Sequence, residues 1–136
     1  MSPIADRLVE LRRHLEHLKS LRPRVHGASD LGRDLTLHND VLFPLLMVCQ
    51  AVIDVAAELS ARRGEKFEDF RGAIRNLALD PLYSPEVVRA LERLPGFRTV
   101  LVHDYADLDM DRVVEALHDL SAIEHFLLVT ANTEKA

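Results

Sequence analysis

At 136 residues the chain is of single-domain size, long enough to bury a core of its own. Its 48% hydrophobic and 29% charged residues exclude a low-complexity or disordered polymer. A formal net charge of −5 excludes a broadly basic, nucleic-acid-coating surface but leaves room for a local cluster of arginines.

No apolar run approaches the roughly 20 residues that span a bilayer, and acidic residues stand where a secretory signal would carry its apolar block. The single cysteine, Cys49, cannot form an intramolecular disulfide. These features lead to the expectation of a cytoplasmic protein without a membrane span, with Cys49 as a small buried hydrophobe.

From the N-terminus, Ile4, Leu8, Leu11, Leu15, Leu18 and Leu21 recur three and four apart, with Arg12, Arg13, Glu16 and Lys19 between them. That period predicts an amphipathic helix from Ser2 to about Arg22, capped by Ser2 with Pro3 at the first helical position. Arg22-Pro23 ends it, and Gly27-Ala28-Ser29-Asp30 reads as a loop. His14 and His17 lie on the polar side or its border. They read as solvated histidines, because a metal held by i,i+3 ligands lacks a third partner here.

Ser29 or Asp30 is expected to cap a second, long helix that reaches about Arg63 and stops at Gly64. From Val41 to Leu59 it is apolar on more than one face, so it belongs at the centre of the fold or partly against another subunit. Pro44 removes one backbone hydrogen bond and crowds the carbonyl of Asp40, which predicts a kink or break between Asn39 and Phe43. His38, Asn39 and Asp40 then read as solvated residues, or a polar site, at that irregularity.

A shorter helix is predicted from Glu65 to about Leu79, with Phe67, Phe70, Ile74 and Leu77 as its apolar stripe. Asp80-Pro81 stops it, and Ser84-Pro85-Glu86 is a strong restart leading to Val87, Val88, Leu91 and Leu94. Pro95 opens another helical turn, and Val100, Leu101 and Val102 are expected to bury one side of that segment. Asp107 or Asp109 caps a last helix carrying Val113, Val114, Leu117, Leu120, Ile123 and Leu127. His118 and His125, seven apart on it, read as surface histidines. No strand-like alternation or internal repeat is present. The chain therefore reads as all-α, an up-and-down bundle of four principal helices with additional short ones: one domain over residues 1–129 and a short flexible tail over 130–136.

The residues with chemistry to offer gather in Phe97-Arg98-Thr99-Val100-Leu101-Val102-His103-Asp104-Tyr105, where an arginine, a histidine and a tyrosine are spaced R-x4-H-x-Y. Residues five apart on a helix are rotated by about 140°, so Arg98 and His103 of one copy make a poor acid–base pair. Two copies facing across a two-fold axis would bring two of each into one cleft. Histidine can give or take a proton near neutral pH, and arginine can fork onto a phosphate, which suits cleavage of RNA by its own 2′-hydroxyl. Spacing alone favours a purely structural arrangement, with Arg98 paired to Asp104 or Asp107 and His103 satisfied at a helix end.

The motif stands behind a leading amphipathic helix and a long apolar helix ending in Ala61-Arg62-Arg63-Gly64, and ahead of an Asp-rich helix start. In that order it resembles the signature of the HEPN superfamily, specifically the HepT-like ribonuclease toxins that pair with minimal nucleotidyltransferase (MNT) antitoxins. The resemblance implies a HEPN-like bundle acting as a homodimeric, metal-independent endoribonuclease with no cofactor. It further implies that Arg98 contacts the scissile phosphate, that His103 transfers protons, and that Thr99 and Asp104 support them. Tyr105 would be the residue onto which an MNT antitoxin transfers AMP, an anionic group able to occupy the phosphate site and repel RNA.

One position departs from the family pattern: the residue after the motif arginine is usually polar, most often asparagine, and here is Thr99, which keeps a hydroxyl but lacks an amide. This leaves a second expectation open, a catalytically inactive HEPN-type partner or substrate-presenting subunit of a nucleotidyltransferase. A helical interaction module with a fortuitous motif is a third. Arg75-Asn76 looks like the usual Arg-Asn pair, but no histidine follows at the needed spacing, so it reads as a decoy.

Overall fold

The structure, a computed structural model, describes residues 3–103 and 105–135, without the side chains of Tyr105 and Lys135. The described residues form α-helices and short 3-10 turns with no strand, as expected for an all-α bundle. The helices are α1 (Pro3–Leu21), α2 (Ala28–Arg33), α3 (Leu35–Arg62), α4 (Phe70–Arg75), α5 (Pro85–Leu91), α6 (Leu94–His103), α7 (Met110–His118) and α8 (Ser121–Lys135).

The leading stripe is borne out: Ile4, Leu8, Leu11, Leu15, Leu18 and Leu21 are all buried on α1. They pack against α3, the hub, which also carries α2, α4 and α6. Arg7 reaches Asp54 and His17 reaches Asp40 across the pair, so numbers rise on one helix as they fall on the other: α1 and α3 are antiparallel. Helix α8 closes the bundle over α1 and α5. Each fully buried leucine or isoleucine contributes about 1.5–3 kcal/mol, so this shared core holds the shorter helices in place. By length and composition α3 is apolar enough to cross a bilayer, against the expectation above, yet 56% of its most apolar window is buried inside the protein. Cys49 is buried there, and burial pushes its thiol up to about 12.

The break in the second helix lies elsewhere than predicted. The backbone leaves the helix at Asp34, whose extended conformation lets its carboxylate accept the Leu37 amide at 3.1 Å. From there α3 runs unbroken through Pro44. A proline inside a helix costs about 3 kcal/mol; Val41, Leu42, Pro44 and Leu45 are all buried, and their packing offsets that loss. The stop at Gly64 is as expected. Gly64 has φ +67°, its amide bonds the Ala61 carbonyl and the Glu65 amide bonds that of Ser60, the paired closure that favours glycine.

Helix α4 starts later than predicted, at Phe70, because Asp69 caps it by accepting the Gly72 amide at 2.7 Å. Residues 65–69 are therefore not helical, and Phe67 and Phe70 are exposed instead of forming a stripe. The restart at Ser84 holds, with its hydroxyl accepting the Val87 amide. The last predicted helix is two: Asp109 caps α7, and the chain turns at Asp119 before α8. Arg22 donates to the Leu117 carbonyl at 2.9 Å and His118 to that of Val25 at 2.6 Å, tying the end of α7 to the segment after α1. Helix α8 then continues to Lys135, where a tail had been expected, because Thr130 is fully buried and bonds the Tyr83 hydroxyl at 2.8 Å.

Candidate functional site

Helix α6 carries the motif, and its two ends differ. Leu94 and Phe97 are partly buried against the core, and Leu101 is its one buried residue. Val100 is half-buried and Val102 is 43% exposed, so the expected burial of all three applies only to Leu101. Arg98 faces inward. Its Nε donates to Gln50 Oε1 of α3 at 2.7 Å. The amide of Gln50 in turn donates to Asp54 Oδ1 at 2.8 Å, and the other carboxylate oxygen of Asp54 accepts from Arg7 Nη1 of α1 at 2.8 Å. A chain of polar side chains thus runs from α6 through α3 to α1.

His103 is the last residue of α6 and is exposed. Asp104 lies outside the described residues, and so does the side chain of Tyr105; the backbone of Tyr105 begins a short 3-10 turn, Tyr105–Asp107. Thr99 is exposed, and its hydroxyl donates back to the Pro95 carbonyl at 3.0 Å. Within one chain, then, the arginine turns into the bundle while the histidine stands at the helix tip in solvent.

The other candidates take structural places. Arg75 donates to Glu92 at 2.7 Å, and Asn76 clips the non-helical segment before α4 to the end of α3 by donating to Lys66 O and Ser60 Oγ. A groove lined by Phe67, Asp69, Gly72, Arg75 and Asn76 holds none of the motif residues. His14 stands edge-on to Phe43, and burial there lowers its pKa below the ordinary 6.5 against the pull of Glu10. His17 lies 3.0 Å from Asp40, which gives that residue a partner on α1 in place of a site at a helix break. Among the described residues no three His, Cys, Asp or Glu side chains gather as a metal site.

Sequence reading missed Gln50 and Asp54. The signal was there in principle: two polar residues four apart, inside an otherwise apolar run, are placed to share one face of a buried helix. What they face could not be read from spacing.

Comparisons with known proteins agree with this fold. Residues 11–129 match the family model described as ribonuclease HepT-like. The chain is 27% identical over 127 residues to the mRNA nuclease HepT of Shewanella oneidensis, covering 91% of this chain and 92% of that protein. It is 26% identical over 113 residues to a putative RNase of Archaeoglobus fulgidus, covering 82% and 86%. Among solved structures it superposes with a TM-score of 0.81 on the tri-AMPylated Shewanella oneidensis HEPN toxin in complex with its MNT antitoxin, at 25% identity over 97% of this chain and 99% of that one. A tyrosine-to-alanine mutant of the toxin–antitoxin MntA–HpeT gives the same TM-score and identity over 96% and 99%.

Proposed function

The chain belongs to the HepT-like ribonuclease family, and on that premise we propose that it is the toxin of a toxin–antitoxin pair, a homodimeric, metal-independent endoribonuclease of the cytoplasm. An MNT-type nucleotidyltransferase silences it by transferring AMP to Tyr105. The observation that carries the reading is the division of labour along α6, with Arg98 held by a neutral amide and His103 exposed at the tip.

A single copy offers one imidazole, whereas the reaction needs a base and an acid. Two copies meeting near the exposed end of α6 supply both. One His103 takes the proton of a ribose 2′-hydroxyl, whose oxygen attacks the adjacent phosphorus; the P–O5′ bond breaks, and the second His103, protonated, delivers its proton to the leaving oxygen. The two Arg98 guanidinium groups balance charge on the phosphate. This places cations locally, which reconciles RNA cleavage with a net charge of −5.

The purified chain is expected to cleave RNA in EDTA, and His103→Ala to lower cleavage at least about 100-fold; unchanged cleavage by that variant would remove His103 from the mechanism. On co-expression with an MNT nucleotidyltransferase, intact mass should rise by AMP-sized steps that are absent in Tyr105→Phe. The Thr99 hydroxyl, turned back onto Pro95, favours a second reading in which the chain is a silent partner of the transferase. RNA left intact by a wild type that still accepts AMP would select it.

A further inference from the structure

We infer that Gln50, backed by Asp54 and Arg7, is a positioning residue that presets Arg98 for phosphate; this deepens the ribonuclease reading above and rests on it. Gln50 and Asp54 lie one turn apart on α3 and share a face. An ionised carboxylate only accepts and a guanidinium only donates. The amide between them therefore has one orientation that satisfies both, with Oε1 on Arg98 at 2.7 Å and Nε2 on Asp54 at 2.8 Å. Asp54 spends its second oxygen on Arg7, so its charge is met two links away from Arg98.

Two chemical consequences follow from that order of partners. With Nε engaged on Gln50, the Nη1/Nη2 pair is the edge that can fork onto two phosphate oxygens. Because the holding group is neutral, it does not itself offset the guanidinium's charge, whereas a carboxylate at position 50 would hold the same geometry and cancel it. An arginine fixed in advance has also already lost the side-chain freedom that binding would otherwise remove. The neighbour of the arginine gives no such help, since the Thr99 hydroxyl donates within its own helix. The orienting amide comes from α3 instead.

The test reads Arg98 directly, by the Nε–H resonance of the 15N-labelled full chain, assigned with Arg98→Lys. Slow exchange with water is expected in the wild type and fast exchange in Gln50→Leu, a variant that keeps helix propensity and packing; Gln50→Met serves where leucine disturbs folding. In cleavage assays the same variant should lose about 10- to 100-fold in kcat/KM, the cost of a misplaced group, with thermal stability little changed. An Nε–H signal indifferent to residue 50, or unaltered kcat/KM in a folded variant, overturns the inference. A wild type that does not cleave RNA defeats the ribonuclease reading alone, and the exchange rate still decides whether Gln50 holds Arg98.

Discussion

Arg75 and Arg98 make the same contact and lead to opposite ends. Each donates its Nε at 2.7 Å, Arg75 to the carboxylate of Glu92 and Arg98 to the amide of Gln50. The first pair is an ion pair with a carboxylate that Arg71 also approaches, at 4.0 Å. The second holds the arginine without neutralising it. In the sequence Arg75-Asn76 is the better match to an Arg-Asn pair, yet the fold sets Arg75 on a carboxylate and Arg98 on a neutral amide. Availability of charge, more than the presence of an arginine, separates a candidate site from scaffold.

Four substitutions break or sharpen this contrast. Arg98→Ala removes the cation and is expected to reduce RNA cleavage by about 100- to 1,000-fold, with a small change in melting temperature; activity within a few-fold of wild type would erase the distinction. Gln50→Glu converts Arg98 into a copy of Arg75, holding it on a carboxylate, and should cut cleavage on the order of 10-fold, about 1.4 kcal/mol, through raised KM for RNA. Arg75→Ala should leave cleavage within about twofold and lower stability by under about 1 kcal/mol, as for exposed ion pairs, since the Arg75 side chain is 64% exposed; urea titration measures it.

The smallest effect separates the pH response of the scaffold from that of the site. Burial lowers the pKa of His14 in the folded chain, so the unfolded chain binds more protons below 6.5. Stability present above that pH is therefore lost as pH falls toward the folded value. His14→Gln should flatten urea midpoints between pH 7.5 and 5.5 while leaving the pH profile of cleavage in place.

The fold was legible wherever a period or a cap acted locally. The α1 stripe, the Gly64 stop and the Ser84 restart are short-range devices, and each stands where the residues put it. Errors arose where tertiary packing overrode a local penalty or where two capping signals competed. Pro44 should have broken α3, but packing of the buried Val41, Leu42, Pro44 and Leu45 made continuity cheaper. Asp34 and Asp69 moved two helix starts, because a capping carboxylate ends a pattern that hydrophobic spacing alone would continue, and the chain leaves the helix at Asp119 between α7 and α8. Thr130 reads as tail until Tyr83, 47 residues away, supplies its partner.

The sequence by itself determined the leading helix, the hub and the R-x4-H-x-Y motif, because periodicity and capping depend on residues within a turn or two of each other. Only the tertiary structure decided that Arg98 would rest on an uncharged amide and Arg75 on an acid. Those partners are 48 and 17 residues distant, and the charge left on a guanidinium depends on what the fold sets beside it.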